Sequence, residues 1–383
     1  MNICLYTGSA LPKLGGQEAV VDSLARQFLQ MGHEPTVLAP RPRLPLWPKD
    51  SQLPYRVIRH PRFFSTKHFV SWYQSFLSRA ARRHRFDIIH CHDVYPTGYV
   101  ASLSRAKLGI PLVITSHGGD VRAGNARLSK PGMRERFTHA VTAADALISI
   151  GRFTSECFMQ LGAAPAKIHS IPNGVDLTPF ETEVSRPVTI DASIMHGGYV
   201  LFLGRLSPRK GLDVLLRAIA LMPTTGGVEL VIAGSGMEDA ALQVQMRELG
   251  LTDRVRLVGR VIGDAKTWLL QNCKCLAVPS RGWEAFPLVV LEAYAAGRPV
   301  VGSRIAGLED VIIEDETGLL IKSESPAELA KALVHVRNNS EWTDNAGKAA
   351  RRRAAAYGWD RIATQHLALY GSFPDREDIP AKL

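Results

Sequence analysis

What the sequence lacks narrows it first. Its five cysteines, Cys4, Cys91, Cys157, Cys273 and Cys275, are scattered through 383 residues without a C-x-x-C pair, which argues against a disulfide framework or a structural zinc site. Reduced thiols in a cytoplasmic protein are the expectation. No apolar run approaches the roughly 18 residues of a membrane span, and the chain enters its first apolar stretch, residues 3–6, without the basic and hydrophobic regions of a secretory leader. Signatures of the commonest ligand-binding loops are also missing. The first loop reads TGSALPKLGG and two later ones GRLSPRKG and AGSGMED, so no G-x-G-x-x-G dinucleotide fingerprint is completed. Neither a phosphate-binding G-x-x-x-x-G-K-[ST] loop nor a hydrolase G-x-S-x-G elbow occurs. There is no Asp-x-Asp metal motif, and no metal ligand set is expected.

What is present is an ordinary globular composition, 46% hydrophobic and 21% charged, which excludes disorder. The length exceeds what one core organises, so two domains are expected. The net charge of +10 is unevenly placed. Residues 1–190 hold 23 Lys and Arg against 13 Asp and Glu, whereas residues 191–383 hold 23 of each. Within the first half, residues 41–86 carry 11 basic residues, Arg41, Arg43, Lys49, Arg56, Arg59, Arg62, Lys67, Arg79, Arg82, Arg83 and Arg85, against the single acid Asp50. Trp47, Tyr55, Phe63, Phe64, Phe69, Trp72, Tyr73 and Phe76 are interleaved with them. A solvated basic face with inward aromatics is one reading. The other is a surface that meets an anionic lipid or acceptor, since each cation near such a membrane is worth about 1 kcal/mol and aromatics favour the interface. Nucleic acid is not expected, because no helix-turn-helix, zinc-finger or RNP signature accompanies the charge.

Short apolar runs alternate with amphipathic stretches, the pattern of parallel strand, helix, strand repeats. Strands are expected at residues 3–6, 36–39, 88–91, 112–115, 146–150 and 168–171, then at 199–203, 229–233, 255–258, 275–278, 299–302 and 318–321. Val20, Val21, Leu24, Phe28 and Met31 give the first helix one apolar face, with Gly32 placed as a C-cap. The fold class is therefore α/β, two Rossmann-like doubly wound domains with a ligand cleft outside the carboxyl ends of the strands. Domains are expected at 1–185 and 186–356, with a helical tail at 357–383.

Two segments suit a phosphorylated ligand. In GRLSPRKG, residues 204–211, a glycine ends a strand and Arg205, Arg209 and Lys210 follow just before a helix. Cations there can hold a diphosphate, each charge-assisted bond contributing about 1.5–3 kcal/mol. In SRGWEAFPLVVLEAYAAGRPVV, residues 280–301, Glu284 precedes Pro287 at the start of a helix and Glu292 follows seven residues on. That spacing can offer one carboxylate to each of two hydroxylated rings, while the helix N-terminus at residues 287–289 faces a phosphate.

With these segments in view, the chain resembles the retaining glycosyltransferases of family 4, which have the GT-B fold; the resemblance implies that the C-terminal helices cross back and the tail at 357–383 packs on the first domain. The resemblance rests on separated motifs in the family's order: Gly15 and Gly16, TSHGGD at 115–120, IPNGVD at 171–176, GRLSPRKG, IAGSG at 232–236, VRLVGRV at 255–261 and the paired glutamates. It implies transfer of a sugar from a UDP- or GDP-sugar to a hydroxyl of a glycan or lipid-linked acceptor, with no metal or other cofactor. By resemblance, Arg205 and Lys210 grip the diphosphate, Glu284 binds hydroxyls of the transferred sugar and Glu292 the ribose. Gly234, Arg260 and Val261 would line the donor site near the base, and Ala285, Phe286, Pro287, Leu288 and Val289 its helix start. Gly15 and Gly16 would let the first loop approach the phosphates, Asn173 would line the same cleft, and His117 would reach the reacting sugar or acceptor. His92 and Asp120 are acceptor-side candidates. Ala285 stands where the family often has Gly or Ser. A sugar-nucleotide epimerase or phosphorylase, and a non-catalytic binding protein, remain alternatives to the transferase. A cytoplasmic protein, peripheral on the inner face of the plasma membrane through residues 41–86, completes the expectation.

Overall fold

A computed structural model describes residues 1–42, 50–62, 69–122, 124–194 and 198–374. The chain divides into two units, Met1–Asn173 with the segment from Trp359 onward, and Gly174–Gly358. In the first, a parallel sheet runs in the order β3-β2-β1-β4-β5-β6-β7. Its strands are β1 Asn2–Tyr6, β2 Glu34–Pro40, β3 Arg56–His60, β4 Ile88–Cys91, β5 Leu112–Ser116, β6 Ala146–Ser149 and β7 Ile168–Ser170. The helices between them are α1 Gly16–Gln30, α2 Phe69–His84, α3 Tyr99–Leu108, α4 Met133–Ala143 and α5 Arg152–Gln160.

The second unit repeats the plan with six parallel strands in the order β10-β9-β8-β11-β12-β13. They are β8 Val200–Leu203, β9 Leu230–Ala233, β10 Val255–Gly259, β11 Cys275–Val278, β12 Val300–Ser303 and β13 Gly318–Ile321. Its helices are α6 Leu212–Leu221, α7 Asp239–Glu248, α8 Gly263–Asn272, α9 Leu288–Ala295, α10 Pro326–Asn338 and α11 Ser340–Ala354. A last helix, α12 Trp359–Tyr370, belongs to the first unit. There Phe28 of α1 packs on His366 and Tyr370, and the Tyr370 hydroxyl lies 2.6 Å from His90 Nδ1.

Burial explains why the apolar runs became strands. The inner strands β4, β5, β6, β9, β11 and β12 are buried at every residue, as parallel strands covered on both faces must be. Edge strands are only half covered, and this is where the structure adds to the sequence reading. Arg56–His60 pairs with β2 as a seventh strand that its arginines, Arg56 and Arg59, concealed.

The unit boundary differs from the expected 185/186. Residues 174–185, expected in the first domain, are fastened to the second unit. The Val175 amide donates to the Tyr357 carbonyl at 2.8 Å, Phe180 is buried with its carbonyl accepting from Arg351, and the Val184 amide donates to Gln271. The expected change at 356/357 falls instead between Gly358 and Trp359.

Each sheet reverses strand order once, between β1 and β4 and between β8 and β11. Loops leaving two such neighbouring strands diverge to opposite faces and leave a crevice at the carboxyl ends, the usual ligand position in this architecture.

Candidate functional site

In the second unit the loops after β8 and β11 meet at the switch point. Gly204 (φ +157°) ends β8. The Arg281 amide then donates to the Arg209 carbonyl at 2.7 Å, locking the two loops together. Gly211 (φ +67°) opens α6 with its α-carbon against the Pro279 carbonyl, where a β-carbon would lie 2.0 Å from that oxygen. The loops place Lys210, Arg209 and Ser280 around the carboxylate of Glu284, which is 5% exposed. Lys210 Nζ and Ser280 Oγ both donate to Glu284 Oε1 at 2.6 Å, and Arg209 Nη1 reaches the same oxygen at 2.9 Å. Arg209 is held in turn by the Trp283 carbonyl at 2.8 Å and stacks over the Trp283 ring, 4.8 Å from its centre.

Burial alone would raise the Glu284 carboxyl. The charges of Lys210 and Arg209 and the bonds from Lys210 and Ser280 outweigh it and hold the group below its ordinary value. All three donors converge on Oε1, so Oε2 has no partner among the described residues and is left to accept from a ligand hydroxyl. Arg205 is exposed and forms no ion pair among the described residues, which leaves its charge available to an anion. Pro287 caps α9, and the free amides at that helix start are those of Leu288 and Val289, since Pro287 carries no N–H and Val290 already donates to the Pro287 carbonyl. Ala285 and Phe286 are buried, Phe286 against Tyr357. Glu292, on α9, accepts from Lys266 of α8 at 2.8 Å.

Gly234 has a packing role. Its amide donates to the Gly259 carbonyl at 2.7 Å, and a β-carbon on it would lie 1.8 Å from the Gly204 carbonyl oxygen. It lets the β9 loop close on the β8 loop. Arg260 is exposed and Val261 half-buried just beyond β10.

The first unit brings a different set together. His117 follows β5, and the turn after it uses Gly118 at φ +85°, whose amide donates to Ser116 Oγ. Ser116 Oγ donates to Asp120 at 2.6 Å and the Val94 amide donates to the other Asp120 oxygen at 2.7 Å. Asp120 thus ties the loop after β5 to the turn after β4. His92 is fully buried, and its Nδ1 lies 3.3 Å from His117 Nε2. Burial pushes the half-buried His117 down to about 4 and His92 well below the ordinary histidine value, so both rings are neutral near pH 7. Gly15, extended at φ −170°, caps α1, and Gly16 is its first residue. Glu18 folds back on this helix start, pairs with Lys13 at 2.9 Å, and leaves only 2.4 Å between its Oε2 and a β-carbon at Gly15. Asn173 is buried at the end of the unit's main segment.

Sequence reasoning named the acids and cations of the second unit but not Ser280 as a Glu284 partner, Lys266 or Glu18. Of these only Glu18 had a local signal, an acid three residues after a helix cap. Among the described residues no group of three His, Cys, Asp or Glu side chains could hold a metal ion, and no helix is long and apolar enough to cross a membrane.

Two parallel sheets with these switch-point loops define a GT-B protein, and solved structures of that fold superpose on the chain. Anabaena Alr3699/HepE, solved in complex with UDP, matches with a TM-score of 0.80 at 21% identity, covering 97% of this chain and 100% of that one. The lipopolysaccharide outer core galactosyltransferase WaaB matches at 0.75 and 21% over 97% and 100%. The pattern of the glycosyl transferases group 1 matches residues 194–353, and that of Glycosyltransferase Family 4 residues 14–179. A D-inositol 3-phosphate glycosyltransferase of Actinosynnema mirum is 33% identical over 79% of this chain and 78% of its own length. One from Salinispora arenicola is 31% identical over 77% and 70%. The chain belongs to the family 4, group 1 glycosyltransferases.

Proposed function

We propose that this glycosyltransferase takes a UDP- or GDP-sugar and passes the sugar, with retention of configuration and without a metal, to a hydroxyl of a glycan or lipid-linked acceptor in cell-surface polysaccharide or glycolipid assembly. The observation that carries the donor half is the convergence of Lys210, Arg209 and Ser280 on one oxygen of Glu284. A carboxylate held ionised with its second oxygen open suits sugar hydroxyls, and the cations around it suit a diphosphate. In this reading Arg205 and Lys210 neutralise the charge that grows on the departing diphosphate, the work a metal does elsewhere. The bond from the sugar carbon to the diphosphate breaks as the acceptor oxygen bonds to the same face of that carbon. The acceptor proton passes to the departing phosphate oxygen. Glu292 takes the ribose, the stretch from Gly259 to Val261 the base, and His117 an oxygen of the sugar or acceptor. UDP bound to Anabaena Alr3699/HepE, and UDP-glucose in a further structure of that protein, support the donor class. The cytoplasmic site of action and contact with the inner face of the plasma membrane belong to the same proposal.

The test is thermal stabilisation of the purified protein by UDP, GDP, ADP and their sugars, with and without EDTA, beside a Glu292→Ala variant. A nucleotide at one hundred times its dissociation constant stabilises by about 2.7 kcal/mol. The proposal expects UDP or GDP to do so in EDTA and the variant to lose the effect. Stabilisation that disappears in EDTA defeats the metal-free mechanism, and no stabilisation by any nucleotide defeats the donor assignment.

A further inference from the structure

One polar contact in the first unit joins a histidine after β4 to a histidine after β5. His92 is 0% exposed, and its two ring nitrogens meet different fates. Nε2 is buried with no hydrogen-bond partner, while Nδ1 lies 3.3 Å from His117 Nε2. The two rings are within 13° of parallel with centres 5.5 Å apart. With nitrogens so close and centres so far, the rings meet edge to edge, the geometry of an in-plane hydrogen bond. His90 cannot serve the orphaned nitrogen although its ring centre is 4.2 Å from that of His92. Its own nitrogens are taken by Thr115 Oγ1 at 2.7 Å and the Tyr370 hydroxyl at 2.6 Å. Gln17 bonds the His92 carbonyl and not its ring.

A neutral imidazole carries one proton, on one nitrogen or the other. Burial and the neighbouring histidines keep His92 neutral. Placing the proton on Nε2 would bury an N–H with no acceptor, the rarer and costlier kind of orphan. The proton therefore sits on Nδ1 and is donated to His117 Nε2. That nitrogen becomes an acceptor, so the neutral His117 carries its own proton on Nδ1, which no group among the described residues holds.

We infer that His92 is a positioning residue that fixes the tautomer of His117, so that His117 offers a ligand oxygen a hydrogen-bond donor at Nδ1 and cannot act there as a base. The functional half rests on the proposed role of His117 at the sugar or acceptor. The tautomer half does not, so failure of every sugar nucleotide to bind would remove the first and leave the second standing.

Two variants separate the donor from the packing. His92→Phe keeps a ring in the buried space and removes both nitrogens. His92→Asn loses the ring but keeps an N–H where Nδ1 was. Ring nitrogen NMR shifts of histidine-labelled full chain near pH 7.5, with His117 assigned by comparison with His117→Gln, report which nitrogen is protonated. The expected result is a single Nδ1–H form of His117 in the parent and in His92→Asn, and a mixture of both forms in His92→Phe. The melting temperatures should rank in the opposite order, His92→Phe above His92→Asn, because only the first fills the ring space. An Nε2–H form in the parent, or an unchanged Nδ1–H form in His92→Phe, overturns the inference.

Discussion

At its switch point the second unit carries a buried carboxylate under three donors, two of them cationic. At the equivalent place the first carries neutral histidines and two carboxylates, the buried Asp93 and the half-buried Asp120, whose protonated forms are favoured by desolvation. One sheet plan thus supports two opposite electrostatic settings. Glu284 stays ionised because Lys210 and Arg209 repay its desolvation. Among the described residues Asp93 accepts only from the Gly8 and Thr97 amides and the Thr97 hydroxyl, and burial with Asp120 nearby pushes it up to about 6. The lesson is a division of labour in which cations gather around the carboxylate at one switch point, whereas neutral imidazoles stand beside the carboxylates at the other.

The strongest way to break this contrast is Glu284→Gln, which keeps the shape and removes the anion. The amide oxygen can still take the donors that meet Oε1, so the fold should persist. Turnover should fall about 10²–10³-fold, the scale for losing one preorganised polar group at a reacting centre. Nucleotide diphosphate affinity should hold or rise, because the cations lose their internal partner. Steady-state kinetics with calorimetric binding decide it, and equal losses in turnover and nucleotide affinity would count against a carboxylate aimed at the sugar.

Acid should separate the units next. His117 and His366 are each pushed down to about 4 by burial, and His90 and His92 well below normal by burial and their histidine neighbours. The unfolded chain protonates its histidines near the ordinary value of about 6.5, so first-unit stability is full above that pH and is lost as the pH falls toward 4. Asp93 runs the other way, regaining some stability as the pH falls from about 6 toward 4, but several histidines outweigh it. Glu284, held below its ordinary value, loses its contribution only at still lower pH. A shift of 2.5 pKa units corresponds to about 3 kcal/mol per group, and about 2–4 °C of melting temperature follows each kcal/mol in a unit of this size. Scanning calorimetry between pH 7.5 and 5 should show the first unit's transition falling by several degrees and the second's holding. Parallel shifts would remove the contrast.

A third test asks whether a glycine of the donor set binds or packs. Gly234→Ala drives a β-carbon against the Gly204 carbonyl, and overpacking of that kind costs typically 1–3 kcal/mol. The second unit should melt earlier with the first unaffected. An unchanged melting temperature with weakened nucleotide binding would return Gly234 to a ligand role.

How much of this was legible beforehand depended on the range of the interaction. Twelve strands were readable because short, mostly apolar runs announce themselves locally, at sheet edges as well as inside. β3 was hidden because Arg56 and Arg59, which its edge position tolerates, leave only Val57 and Ile58 as an apolar run. The boundary at residue 173 was hidden because the stretch near residues 181–197 has a linker's polar, Pro-containing composition, while Phe180 and Val184 are fastened to groups roughly 90 to 170 residues away. Glu284, Glu292, Arg205 and Lys210 could be named from motif and resemblance. The pairing of Glu292 with Lys266, or of His92 with His117, is set by neighbouring strands and helices, and no sequence spacing records it.

The smallest expected effect concerns the basic stretch, where the structure divides what composition had grouped. Arg43, Trp47, Lys49, Phe63, Phe64 and Lys67 lie outside the described residues. Arg59 is turned inward to Asp50 at 2.7 Å, Tyr55 donates to Asp22, and Tyr73 is buried. On α2, by contrast, Trp72 is 53% exposed and Arg79, Arg82 and Arg83 face solvent. If an anionic membrane is met by this helix, Arg82→Ala should weaken binding to vesicles containing anionic lipid about fivefold at low salt, since one cation contributes about 1 kcal/mol, and screening should erase the difference at high salt. Arg59→Ala should lower the first unit's melting temperature and leave vesicle binding alone. Equal binding of the parent to neutral and anionic vesicles would mean that the excess charge of the first half serves solvation or an anionic acceptor instead.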